Sequence, residues 1–217
     1  MLLRNKSTIQ PERQATWPAV NQVLRAEIIR RSGGLAEFWE ISPIRIEDNA
    51  LHTDEIIERL FPADALLCCG HSANEFETRR LNAWLGELAG LQFIVPSPVR
   101  ARTKERVPPI GGSRRFLVVQ FDEGTVDEQA ALLINLAGYA PLVCGVHSGN
   151  NSMAGWFFVH GQPEDRVLKF FRYSISLGAN PATWAPAHFV WMPDGQSENR
   201  KRQTVYFLNF RPLEAQA

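Results

Sequence analysis

The stretch RRFLVVQFDEGTVDEQAALLINLAGYAPLVCGVHSGNNSMAGWFF, residues 114–158, decides how this chain folds. FLVVQF (116–121) is an apolar run of strand length, and it ends on two acids, Asp122 and Glu123. TVDE (125–128) has the spacing of a capping box, which predicts a helix from there to Gly138. LVCGVH (142–147) predicts a second strand, SGNNS (148–152) a turn, and GWFFVH (155–160) a third strand. Further on, PED (163–165) puts a proline and two acids where a helix begins, and Gly178 ends that helix after residue 177. HFVWM (188–192) and TVYFLNF (204–210) read as strands.

The order β-α-β-β-α-β, with one extra strand, predicts an α+β fold: an RNA-recognition or ferredoxin-like βαββαβ palm unit over residues 114–217. Before it, residues 1–99 alternate helix and strand and form an N-terminal α/β unit. There, Thr16 is the expected cap of a helix running to about Arg31, ended by Gly33 and Gly34. Residues 35–46 alternate apolar and polar side chains like a strand. TDEIIERLF (53–61) predicts a short helix with acids in its first turn. Residues 65–69 predict a buried strand, 76–88 a helix around Trp84, and 91–95 another strand. Residues 100–113, with two prolines and two glycines, predict a basic linker loop between the units.

Hydrophobic residues make up 45 % and charged residues 21 % of the 217, the composition of an ordinary globular protein rather than a disordered one. No apolar run approaches the roughly 20 residues of a membrane helix, so no membrane partner is expected. Cys68, Cys69 and Cys144 form neither a disulfide framework nor a zinc spacing, and a cytoplasmic location is expected. The formal net charge is zero, yet Arg100, Arg102, Lys104, Arg106, Arg114 and Arg115 stand against one acid, Glu105. Arg200, Lys201 and Arg202 make a second cluster. A local positive stripe is enough to bind a phosphate backbone; the same runs also read as solvated loops.

The strand ending in acid, the Ser-Gly turn, the Gly-Trp-Phe strand and the late FVWMPD segment (189–194) together resemble the catalytic domain of the archaeo-eukaryotic primase superfamily, most of all the primase-polymerases of bacterial plasmids and phages. The resemblance implies a cleft between the two units, with DNA template or primer, a nucleoside triphosphate, and Mg²⁺ or Mn²⁺ bound there. Its first motif, two acids two residues apart, falls on Gln120 and Asp122, with Glu123 adjacent. These are the candidate metal ligands, and side chains two apart on a strand share a face. Its second motif falls on Ser148, Gly149, Asn150 and Asn151, the candidate nucleotide-binding residues. Its third acid falls on Asp194, which with Asp122 makes the candidate catalytic pair. Arg102, Lys104, Arg106, Arg114, Arg115 and Arg202 are the candidate nucleic-acid contacts.

Four positions depart from the pattern. Gln120 replaces an acid, Asn151 a lysine, Ala154 a histidine and Trp191 an arginine. A phosphoryl transfer that depends on positioning and charge loses about 10²–10³ in rate for each electrostatic contact removed. Two expectations follow. One is an active primase-polymerase, a nucleotidyltransferase of DNA replication. The other is a catalytically dead nucleic-acid or nucleotide-binding replication-initiation or partner protein of a mobile element. A protein–protein adaptor is a third reading, resting on Trp17, Trp39, Trp84 and Trp184, which also read as core.

Overall fold

Strand β4 (Phe116–Phe121) is buried along its whole length. In the computed structural model, which describes residues 16–72, 74–99, 114–197 and 199–215, β4 is the edge of a four-stranded antiparallel sheet of order β4-β6-β5-β8. Its partners are β5 (Leu142–His147), β6 (Met153–Phe158) and β8 (Val205–Leu208). The two faces of β4 meet different cores. Leu117, Val119 and Phe121 pack against helices α4 (Val126–Ala137) and α5 (Glu164–Ser176). Phe116 and Val118 face the other way, into a core shared with helix α3 (Thr53–Leu60) and the second sheet. The period of two puts Gln120 on that second face, at its end. The Thr125 capping box is formed in full, with Thr125 Oγ1 accepting from the Glu128 amide at 3.3 Å and Glu128 Oε2 accepting from the Thr125 amide at 3.0 Å.

The second sheet has order β2-β1-β3-β7 and is also antiparallel. It is built from β1 (Leu66–Ser72), β2 (Glu75–Arg80), β3 (Phe93–Ile94) and β7 (Val190–Trp191). The architecture is therefore α+β, with six α-helices among the described residues. The expected β-α-β-β-α-β order stands in β4, α4, β5, β6, α5 and β8, with β7 as the additional strand. The extra strand, β7, leaves for the sheet of the first half and pairs with β3, while β8 lies beside β5. The two halves thus share one sheet and one core.

Three local expectations are corrected. Residues 35–46 do not form a strand, because Gly34–Glu40 is helix α2. Its start is held from outside, with the Leu35 amide donating to Asp127 Oδ1 on α4 at 3.0 Å and Phe38 fully buried beneath it. Residues 76–88 do not form a helix; 75–80 is the edge strand β2, followed by a short 3-10 turn at Leu81–Ala83. Helix α1 is shorter than expected, Gln22–Arg31 with Asn21 as its cap. The basic linker, 100–113, lies outside the described residues. Among those described, no helix is long and apolar enough to cross a membrane.

Candidate functional site

Asp122 sits just past the end of β4, exposed, and three neutral donors converge on it. Gln120 Nε2 donates to Oδ1 at 2.7 Å, Ser152 Oγ to the same oxygen at 2.8 Å, and Asn180 Nδ2 to Oδ2 at 2.8 Å. The Asn180 amide in turn donates to the Gln120 carbonyl at 2.8 Å, which fixes the loop after α5 against the strand end. His188 lies close enough to feel the Asp122 charge; burial nevertheless pushes its imidazole below the ordinary range, the carboxylate opposing it. Glu123 is exposed, and its carbonyl accepts from Arg25 Nη2 at 3.0 Å.

The 148–152 turn is closed on itself. Ser148 is buried, and its Oγ accepts from the Asn150 and Ser152 amides, both at 3.2 Å. The Gly149 amide donates to His147 Nδ1 at 3.3 Å, and His147 Nε2 meets the Asn150 carbonyl at 3.1 Å. That pair of contacts needs a neutral ring with its proton on Nε2. The Asn151 carbonyl accepts from Gln129 Nε2 at 2.8 Å, and Asn150 Oδ1 from Lys201 Nζ at 2.9 Å. Three of the amides that a phosphate nest would aim outward are therefore spent within the turn.

Asp194 is fully buried and adopts a left-handed backbone with φ of 59°. Arg202 grips it with two bonds, Nε to Oδ1 at 2.7 Å and Nη2 to Oδ2 at 3.1 Å. The His52 amide donates to Oδ2 at 2.7 Å, and Thr53 Oγ1 donates to the Asp194 carbonyl at 2.7 Å. Arg202 also donates to the Ala50 carbonyl at 2.8 Å, so one guanidinium staples the 48–52 segment to the 194 turn.

The structure thus joins the three sequence-distant spots into one run of contacts. Asp122 bonds the turn through Ser152. The turn packs on the next segment so closely that a Cβ at Gly149 would lie 2.9 Å from the Arg202 carbonyl oxygen. Arg202 then holds Asp194. In the strand register Gln120 pairs with Ala154, so the positions where an acid and a histidine were expected are neighbours. Ala154 is fully buried in the core shared with the second sheet. Hollows of about 400 and 370 Å³ lie elsewhere, and one of about 270 Å³ is lined in part by Asp48 and His52, at the ends of the segment that Arg202 staples to the 194 turn.

The donor set does not fit a pair of divalent cations. Gln120 turns its amide N–H, not its oxygen, toward Asp122, and Asp194 already has a guanidinium counter-ion. Among the described residues no group of three or more His, Cys, Asp or Glu side chains is arranged to hold a metal.

The described basic candidates are tied down as well. The Arg114 side chain is 7 % exposed, lies 4.5 Å above the Trp184 ring and donates to the Trp184 carbonyl at 2.9 Å. Arg115 donates to the Leu60 carbonyl at 2.7 Å between the Phe116 and Phe158 rings. Arg102, Lys104 and Arg106 lie outside the described residues. Sequence reading missed Ser152, Asn180 and His188 around Asp122. It also missed Gln203, fully buried beside Arg202 with neither amide atom bonded among the described residues. A carboxylate's neutral partners leave no pattern in a single sequence.

The histidines give a test of this electrostatic picture. His52 lies 2.8 Å from Asp48 and 3.2 Å from Glu55, and those carboxylates raise its pKa. Burial lowers that of His147. Linkage then has opposite signs. The His52 contribution to stability is full below the unfolded value of about 6.5 and fades as pH rises through the folded pKa. The His147 contribution is full above about 6.5 and fades as pH falls through its folded pKa. An NMR titration is expected to place His52 above, and His147 and His188 below, that value. His147 titrating above it would contradict the neutral ring.

Comparison of the chain with models of protein families, with curated proteins and with solved structures found no match in any of the three.

Proposed function

We propose that this chain is a primase-polymerase-like protein of DNA replication that no longer transfers nucleotides and serves as a nucleic-acid-binding initiation or partner protein of a mobile element. The observation that carries this reading is the Asp194–Arg202 pair: the third acid of the site is buried on its own guanidinium instead of facing solvent. The adjacency of Gln120 and Ala154 supports the same reading, because two positions that lie where the resemblance wants charge both carry neutral side chains. Binding Mg²⁺ or Mn²⁺ with a nucleoside triphosphate would require Arg202 to release Asp194 and the Gln120 amide to turn over. A single-stranded nucleic acid makes no such demand, since its charge can be met by surface cations.

A primer-extension assay with Mn²⁺, each deoxynucleotide and each ribonucleotide is the test. The expected result is no template-dependent incorporation, together with salt-sensitive binding of DNA. Incorporation abolished by Asp122→Ala would overturn the loss of catalysis and restore the enzyme. Absence of binding to any nucleic acid would overturn the whole reading.

A further inference from the structure

The inner face of the second sheet is core, with Leu67, Cys69 and Ile94 buried in it. Its outer face is aromatic. The register pairs Gly70 with both Phe76 and Phe93, and Phe93 with Trp191, and cross-strand partners share a face. Phe189, one residue before β7, joins them. The rings meet in an unbroken run. Phe76 and Phe189 are 5.1 Å apart between centroids, Phe189 and Phe93 6.3 Å, and Phe93 and Trp191 5.1 Å with planes 27° apart. Glycine at position 70 makes the run possible, since a Cβ there would fall 2.7 Å from the Phe76 Cβ. All four rings are half-buried, so each keeps a surface open to solvent.

We propose that this face is a stacking platform for single-stranded nucleic acid, a site that deepens the functional reading above and rests on it. Unpaired bases are flat, and they stack on aromatic side chains whatever their sequence. Charge selects this occupant over an apolar protein surface. Arg80, paired in register with Leu66 at one margin of the face, is exposed and has no partner among the described residues. The acids of β2, Glu75 and Glu77, occupy the alternate positions, and Glu77 is held by Arg79 at 2.6 Å. The chain leaves this sheet at Val99, whose amide donates to the Leu66 carbonyl at 3.0 Å. A phosphate of a strand laid along the rings would therefore pass the Arg80 cation.

The test is fluorescence anisotropy of the full chain with labelled oligothymidylate, the matching oligouridylate and a blunt duplex, at several salt concentrations. The wild type is expected to prefer both single strands to the duplex. Phe93→Leu/Phe189→Leu keeps apolar volume and removes the stacking faces; it is expected to weaken single-strand binding tenfold or more. Arg80→Gln, at an exposed position that leaves the core intact, is expected to weaken it and to lower the salt slope by about 0.7. It decides the matter should the double variant fold poorly. Wild-type affinity in Arg80→Gln together with the folded double variant would overturn the platform while leaving nucleic-acid binding elsewhere intact. Equal loss on the duplex would overturn stacking as its basis. No binding of any strand by the wild type would overturn both platform and function.

Discussion

Arg202→Ala is expected to destabilise the protein by about 3–5 kcal/mol, because it leaves a buried carboxylate without a counter-ion. Asp194 has no exposure, and the neutral donors that remain to it, the His52 amide and nothing longer, cannot offset a full charge. Losses of that size are a large part of a typical total of 5–15 kcal/mol. Urea unfolding followed by tryptophan fluorescence measures it. Adding Asp194→Asn is expected to recover part of the loss: asparagine tolerates the left-handed backbone at this position and keeps an oxygen for the His52 amide. Full recovery is not expected, since Arg202 also holds the Ala50 carbonyl. A loss below about 1 kcal/mol in Arg202→Ala would mean that Asp194 reaches water once released. If Mn²⁺ then raised the stability of that variant, the acid would be a latent metal ligand, and the non-catalytic reading would fail.

The same pair marks how far a sequence can be read. Pro193-Asp194-Gly195 has the residues of a turn, and a turn is what it makes, with the Gly195 amide donating to the Met192 carbonyl at 3.0 Å. What no local pattern carries is the partner, eight residues on, that converts an apparent surface acid into a buried anchor. The strands β4 and β5 and helix α4 were readable because their signals are local: an apolar run, a capping box, a turn. Strand β2 was not, because residues 76–88 also suit a helix, and pairing with β1 across Gly70 decides otherwise. The interleaving of the halves was hidden for a like reason. Residues 188–192 show a strand but not the sheet it joins. The acid at Asp122 was readable, and the donors Gln120, Ser152 and Asn180 that converge on it were not, since two of those three come from distant segments.

Phe38→Ala is the second large loss to expect, about 3–5 kcal/mol from a fully buried aromatic side chain. Residues 34–40 have only two turns to offer, too few to be a stable helix alone. What keeps α2 in place is the Phe38 ring, stacked on Phe207 at 5.4 Å, and the Asp127 carboxylate at its start. The ring lies directly over Gly145 in β5, where an added Cβ would meet its Cε1 and Cζ at 2.5 Å. Gly145→Ala should therefore also destabilise, by about 1–3 kcal/mol through overpacking. The two changes touch one space, so they should not add. With Phe38 cut to alanine, the new methyl at 145 occupies volume the ring has vacated, and the double variant is expected to be more stable than the sum of the singles predicts. Thermal unfolding of the four proteins in one cycle measures the coupling. Strict additivity would mean that the ring does not rest on Gly145.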